Sequence, residues 1–238
     1  MSRAAPRRSL RLPSRVPLAI AIILLGSSLS FPAEARPAAP DRIVDLLEKI
    51  ESGMVETRYQ HRTRVRHREG KYFFDCSGMA SWILRRTAPA ALRAVGKPND
   101  RRPLAVHFFS RINRIDPGER RGPWMRVATA AHARPGDLIA WKRPKWFPSK
   151  STGHVAFVVG HPEVNRGPVP GILVRVADSS KFKHEDDSRD PGTTGFGTGV
   201  LLLPTDDAAR PIGYGWIGSR TRPEWVVPAE IVIGRPLR

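Results

Sequence analysis

A chain of 238 residues is long enough for one well-packed domain and too short for two generous ones. Its single cysteine excludes a disulfide within the chain, and the formal charge of +18 points away from acidic partners' mimics and toward anionic ones.

The start of the chain reads as an export signal. Arg3, Arg7, Arg8, Arg11 and Arg15 form a basic n-region, residues 16–31 are nearly all apolar, and Ala33-Glu34-Ala35 supplies a small-x-small cleavage pattern. Residues 1–35 are therefore expected to be a signal peptide, with delivery to the periplasm, the extracellular space or the cell wall. An uncleaved anchor is the competing reading, weakened by Gly26 and the serines within the run. No other segment is long and apolar enough to span a membrane. Removing residues 1–35 takes away five arginines and one glutamate and leaves +14. Inside a cell that charge suggests nucleic acid; outside the membrane the abundant polyanions are cell-wall polymers and acidic peptide stems.

In chain order, residues 36–40 form a Pro/Ala linker and Asp41 is the expected N-cap of a helix through Ser52. Ile43, Val44, Leu46, Leu47 and Ile50 repeat there at helical spacing. Arg62, Arg64, Arg66, His67, Arg68 and Lys71 make the densest basic stretch. Its alternation with Thr63 and Val65 matches neither a recognition helix nor an aromatic-interleaved surface, so no specific nucleic acid is expected and a solvated loop is the plain alternative. Residues 77–87 form a second helix, ended by Pro89, and residues 104–113 a third. Short strands follow at 137–142, 154–160, 172–178, 200–203 and 213–217. Helices first and consecutive strands later predict one α+β domain over residues 41–238, built around a mostly antiparallel sheet. The irregular stretches 143–152 and 180–198 flank the suspected site.

Cys76 opens the second helix, where unpaired amides and the helix dipole favour thiolate over thiol. Asp75 opposes that electrostatically, so another partner is required. His154 opens the apolar strand Val155-Ala156-Phe157-Val158-Val159 and is the expected base. Asp178 closes the next strand, and pairing of the two strands as a hairpin brings its carboxylate to the far nitrogen of His154, giving a Cys-His-Asp arrangement. Each has a plainer reading: a buried apolar cysteine, a strand-edge histidine, a turn aspartate.

Phe74-Asp75-Cys76-Ser77-Gly78, then Arg134-Pro135-Gly136-Asp137-Leu138, then Gly153-His154-Val155, in that order, look like the three signature blocks of the NlpC-type cell-wall peptidases. The resemblance spans roughly residues 57–178. It implies a papain-like α+β fold, with the nucleophile at a helix N-terminus packed on the sheet, and hydrolysis of amide bonds in peptidoglycan stem peptides. By position Cys76 matches the nucleophile, His154 the base and Asp178 the third polar residue. The resemblance further implies substrate-binding roles for Asp75, Ser77 and an upstream tyrosine, with Tyr59 the expected one and Tyr72 its rival. It implies no cofactor, and a monomer. His184-Glu185-Asp186-Asp187 has metal-ligand chemistry, but consecutive residues rarely converge on one ion, so no metal site is expected and an acidic loop lining the cleft is. Two other classes stay open: a non-catalytic basic wall-binding protein, and an acyltransferase using the same thioester chemistry.

Overall fold

The computed structural model describes residues 37–96, 102–148 and 150–237. The expected export signal lies outside the described residues. The first helix, α1 (Ala39–Gly53), starts two residues ahead of the expected cap because Pro40 sits in its first turn, where the fixed φ of proline suits the helix and its missing N–H costs nothing. It buries Ile43, Leu47 and Ile50. A small sheet follows, made of β1 (Glu56–Tyr59), β2 (Arg64–Arg66) and β3 (Lys71–Phe74) in the order β1-β3-β2. The basic stretch is thus partly a strand: Arg64 and Arg66 face solvent while Val65 packs on the core.

Then come α2 (Cys76–Thr87), α3 (Pro89–Val95) and α4 (Ala105–Asn113). Pro89 ends α2 as expected but also begins α3, the position at which proline is best tolerated in a helix. The remaining strands are β4 (Arg120–Arg121), β5 (Trp124–Val127), β6 (Leu138–Lys142), β7 (Gly153–Val158), β8 (Glu163–Val164), β9 (Gly171–Ser180), β10 (Gly195–Pro204), β11 (Gly213–Tyr214), β12 (Val227–Pro228) and β13 (Ile231–Pro236).

The main sheet runs β10-β9-β7-β6-β13-β5-β4, with β8 on the edge of β9, and its described strands pair antiparallel throughout. The protein is α+β. Alternation along the central strands splits the core in two. Leu138, Ala140, Val155, Phe157 and Val232 meet the helices, while Ile139, Trp141, Ala156, Val158 and Ile233 join Val174, Val176, Leu201 and Tyr214 on the other face. β9 and β10 are longer than the expected strands, and their shared register from Gly171↔Pro204 to Ser180↔Gly195 sets Asp178 opposite Gly197, two residues short of that shared end.

The two sheets meet where β1 lies against the start of β10. The amide of Phe196 donates to Thr57 Oγ1 at 2.8 Å, and the amide of Tyr59 donates to Thr194 Oγ1 at 3.2 Å. Gly195 permits this approach: its φ is +109°, and a Cβ there would lie 2.4 Å from Thr57 Oγ1 and 2.6 Å from the Arg58 amide nitrogen. Gly195→Ala is therefore expected to cost about 1–3 kcal/mol from backbone strain alone. Urea unfolding should show a lowered midpoint, and an unchanged midpoint would mean that β1 is free to move away.

Candidate functional site

Cys76 is the first residue of α2 and is buried, though not completely. Asp75 is the N-cap of that helix: its Oδ1 accepts from the Gly78 amide at 2.7 Å, an interaction that satisfies one of the helix's unpaired donors. The electrostatic objection to Asp75 is met by a residue the sequence did not single out. Arg102 grips the carboxylate with both guanidinium nitrogens, Nη1 to Oδ1 at 2.7 Å and Nη2 to Oδ2 at 2.6 Å. Burial pushes the Asp75 carboxyl up, but the bonds from Arg102, the Gly78 amide and His61 outweigh it and hold the group below its usual range. The guanidinium also lies within electrostatic reach of Cys76.

His154 supplies the facing imidazole. Its Nε2 is 2.7 Å from Asp178 Oδ2, and the Cys76 side chain lies within electrostatic reach of the same ring. The thiol approaches from the helix layer. The imidazole and carboxylate come from strand positions of the opposite parity, so the three groups meet at the end of the sheet rather than through it. A further bond sets the spacing: the hydroxyl of Ser179 donates to the Phe74 carbonyl at 2.7 Å, tying the residue after Asp178 to the residue two before Cys76. Burial disfavours a charged His154, yet the facing thiolate and Asp178 overcome it and raise the imidazolium to about 10.

Asp178 is fully buried, and its partners are the part of the site that sequence reasoning missed. His184 Nε2 lies 3.0 Å from Oδ2, and Arg189 Nη2 lies 3.3 Å from Oδ1. Burial alone pushes this carboxyl up, but the two histidines hold it well below the ordinary carboxylate range. His184 is itself fixed by the Trp216 carbonyl oxygen, 3.0 Å from its Nδ1, and stacks on the Trp216 ring with centroids 4.3 Å apart. Both of its nitrogens therefore face oxygen atoms. Arg189 is bidentate to Asp187 at 2.7 and 2.6 Å and donates to the Gly195 carbonyl at 3.0 Å. Trp141 and Trp216 close over His154, with ring centroids at 5.0 and 5.3 Å.

The other expected residues fall as follows. Tyr59 is half-buried, and its hydroxyl is pushed up first by burial and then by the neighbouring Cys76 and Asp75. Tyr72 is a core residue whose hydroxyl bonds His67 Nδ1 at 2.7 Å. Asp75 and Ser77 are buried, and their side chains are committed to Arg102: Ser77 Oγ donates to Asp75 Oδ1 at 3.1 Å and accepts from Arg102 at 2.9 Å. Of the acidic run, Asp187 binds Arg189. Glu185 accepts from the amide and hydroxyl of Ser219 and pairs with Arg220 at 3.1 Å. Among the described residues no group of three or more His, Cys, Asp or Glu side chains is arranged to hold a metal ion.

The class defined by these observations is an α+β protein with a Cys-His-Asp constellation at the end of its main sheet. No family model matches the chain, and no solved structure matches it. It is similar to an uncharacterized protein, R653, of Acanthamoeba polyphaga mimivirus, 27% identical over 215 residues that cover 80% of this chain and 92% of the relative. The resemblance to the NlpC-type peptidases is therefore corrected: the similarity found is to an uncharacterized viral protein, and no peptidase family is matched.

The structure shows why short ordered blocks mislead. Asp137 of the second block accepts from the Arg134 amide at 2.8 Å and clamps Arg235 at 2.8 Å through each oxygen, a task of turn and strand anchoring that any fold can require. Gly78 of the first block is where the 60–64 segment approaches α2, since a Cβ there would lie 2.5 Å from Thr63 Oγ1.

The anchoring of Asp178 generates a test. His184→Phe keeps a flat ring under Trp216 but removes the donor to a buried carboxylate, and should lower stability by about 1–3 kcal/mol. His184→Gln, which still offers an N–H to Asp178, should recover part of that loss. Equal urea midpoints for the two variants would show that the hydrogen bond contributes nothing.

Proposed function

We propose that this protein is a cysteine-dependent amide hydrolase that works through a thioester on Cys76, with its nucleophile helix and antiparallel sheet arranged in the papain-like manner. The observation that carries the reading is the grouping of the three side chains: His154 Nε2 stands 2.7 Å from Asp178, and Cys76, at the start of α2, lies within electrostatic reach of the same ring. A buried cysteine packed only for its volume requires none of these partners.

In the acylation step the thiolate Sγ adds to the substrate carbonyl carbon, and the carbonyl oxygen takes the negative charge beside the Cys76 amide at the start of α2. The imidazolium of His154 gives its Nδ1 proton to the amide nitrogen. The C–N bond breaks, leaving an acyl thioester and a free amine. In the second step His154 takes a proton from water as the hydroxyl adds to the thioester carbonyl. The C–S bond then breaks, releasing the acid and restoring the thiolate–imidazolium pair. Asp178 stays ionised throughout and orients the ring. Trp141 and Trp216 shield it from water, which strengthens both interactions.

Peptidoglycan stem peptides are the proposed substrate, in keeping with the export signal read from residues 1–35 and the basic mature chain. Incubating purified peptidoglycan with the native protein and with Cys76→Ala, followed by mass spectrometry, tests it. New stem-peptide fragments should arise only with the native protein, and fragments from both or from neither would refute the reading.

The protonation of His154 sets the pH profile. The leaving amine needs the imidazolium, which is held to about 10, so activity should persist through neutral pH and fall on the alkaline side near 10 rather than near the ordinary histidine value. Asp178→Asn removes a bond and a charge that raise this group. Its alkaline limb should move to lower pH and its turnover fall by about 10²-fold. A limb that stays in place would remove Asp178 from the proton inventory of the site.

A further inference from the structure

The sheet register fixes which loops surround the nucleophile. Trp141 pairs with His154 and Lys142 with Gly153, so the β6–β7 connection leaves the sheet at the His154 end. Phe157 pairs with Ala177 and Ser180 with Gly195, so the β9–β10 connection leaves at the same end. The Tyr59–Thr194 and Phe196–Thr57 bonds bring β1 and the basic 58–64 segment to the same rim.

Each of the two sheet connections presents an exposed aromatic next to a lysine. Trp146 is 63% exposed and follows Lys145; Phe182 is 70% exposed and lies between Lys181 and Lys183. The first tip is held in shape: Arg143 donates to the carbonyls of Phe147 at 2.6 Å, Ser151 at 3.0 Å and Pro144 at 3.3 Å. Residues 142–152 contain four Lys or Arg and no acid. On the second connection Glu185 and Asp187 are turned inward to Ser219, Arg220 and Arg189, which leaves Asp186 and Asp190 as its solvent-facing acids. Arg58, Arg62 and Arg64 are exposed on the third side.

We infer that this rim docks on an anionic lipid surface, with Trp146 and Phe182 entering the headgroup–acyl boundary and the surrounding lysines and arginines paired with acidic headgroups. Charge alone would suit a hydrated polyanion equally well. The aromatics decide between them, because a protruding Phe or Trp ring gains nothing from a fully solvated polymer and partitions favourably into a bilayer interface. Single exposed apolar residues are ordinary, but two aromatic tips beside bases at one end of the sheet are a directed surface. The inference is independent of the hydrolase reading, since it concerns how the cleft is presented and not what occurs within it.

Site-specific labels test it on the full chain. With Cys76→Ser removing the native thiol, a polarity-sensitive fluorophore is attached at Trp146→Cys, at Phe182→Cys and at Val164→Cys. Val164 is an exposed apolar residue that pairs with Ile172 at the opposite end of β9. On vesicles of phosphatidylglycerol and phosphatidylcholine the first two labels should shift blue and be quenched at least about twofold by brominated acyl chains, while the Val164 label stays in water. Raising salt to about 1 M, where charges are screened beyond ~3 Å, should weaken binding at least tenfold. No shift on vesicles, equal quenching at Val164, or a shift without acyl-chain quenching that soluble polyphosphate reproduces would each overturn the inference. The last result would assign the rim to a polyanion instead.

Discussion

A carboxylate with no exposure to solvent has to be paired or give up its charge, and Asp178 is paired: His154 and His184 meet its Oδ2, and the Arg189 guanidinium stands 3.3 Å from Oδ1 without a hydrogen bond to it. His154, His184 and Arg189 come from a neighbouring strand and from the connection that follows β9, and each is itself held by a second contact. Meeting this requirement organises the region. The β9–β10 connection folds back so that His184 and Arg189 point inward, the Trp216 carbonyl lies against the other nitrogen of His184, and β10 begins at Gly195, whose carbonyl accepts from Arg189. The cost of burying this network is offset only while every member keeps its partner, which makes the geometry around His154 all-or-none rather than adjustable.

The second charge problem of the site is solved in the same way. A helix N-cap aspartate next to a thiolate is a contradiction if each is considered alone: the cap stabilises the helix that positions the sulfur while its charge opposes ionising it. Arg102 resolves it by neutralising the cap in place, through two parallel bonds and a third to Ser77. Helix stability and thiolate stability then cease to compete. A lysine at position 102 would provide the charge without the fork, and so could not hold both oxygens and the serine at once.

Much of this was legible in the sequence where the signal is local. A cysteine at the start of an apolar helical run, a histidine opening an apolar strand, and an aspartate closing the next strand specify positions that an antiparallel pairing brings to one end of a sheet, and β7 and β9 do pair in that sense. Partners that act across distance were not legible. Arg102 is one of 40 lysines and arginines, and nothing local marks it as the one that turns inward. β2 was hidden because Arg64-Val65-Arg66 sets arginine against a single small apolar residue, a pattern shared with a charged loop. β13 was missed because Ile231, Val232 and Ile233 carry no periodicity, although as the strand between β5 and β6 they are buried on both faces.

The 184–189 segment shows most clearly why composition misleads. Read as a string it is one histidine and three acids followed by an arginine, and it suggests either a metal site or an acidic wall of the cleft. Folded, its side chains alternate in destination: His184 and Arg189 serve the buried carboxylate, Asp187 orients Arg189, Glu185 anchors the Ser219 turn, and Asp186 alone of the acidic run is exposed. The segment is acidic so that its two buried donors can be positioned, and those acids are spent inside the protein. The rim of the cleft is consequently more basic than a residue count over the same loops implies, because an inward-facing carboxylate that is fully paired contributes little field at the surface.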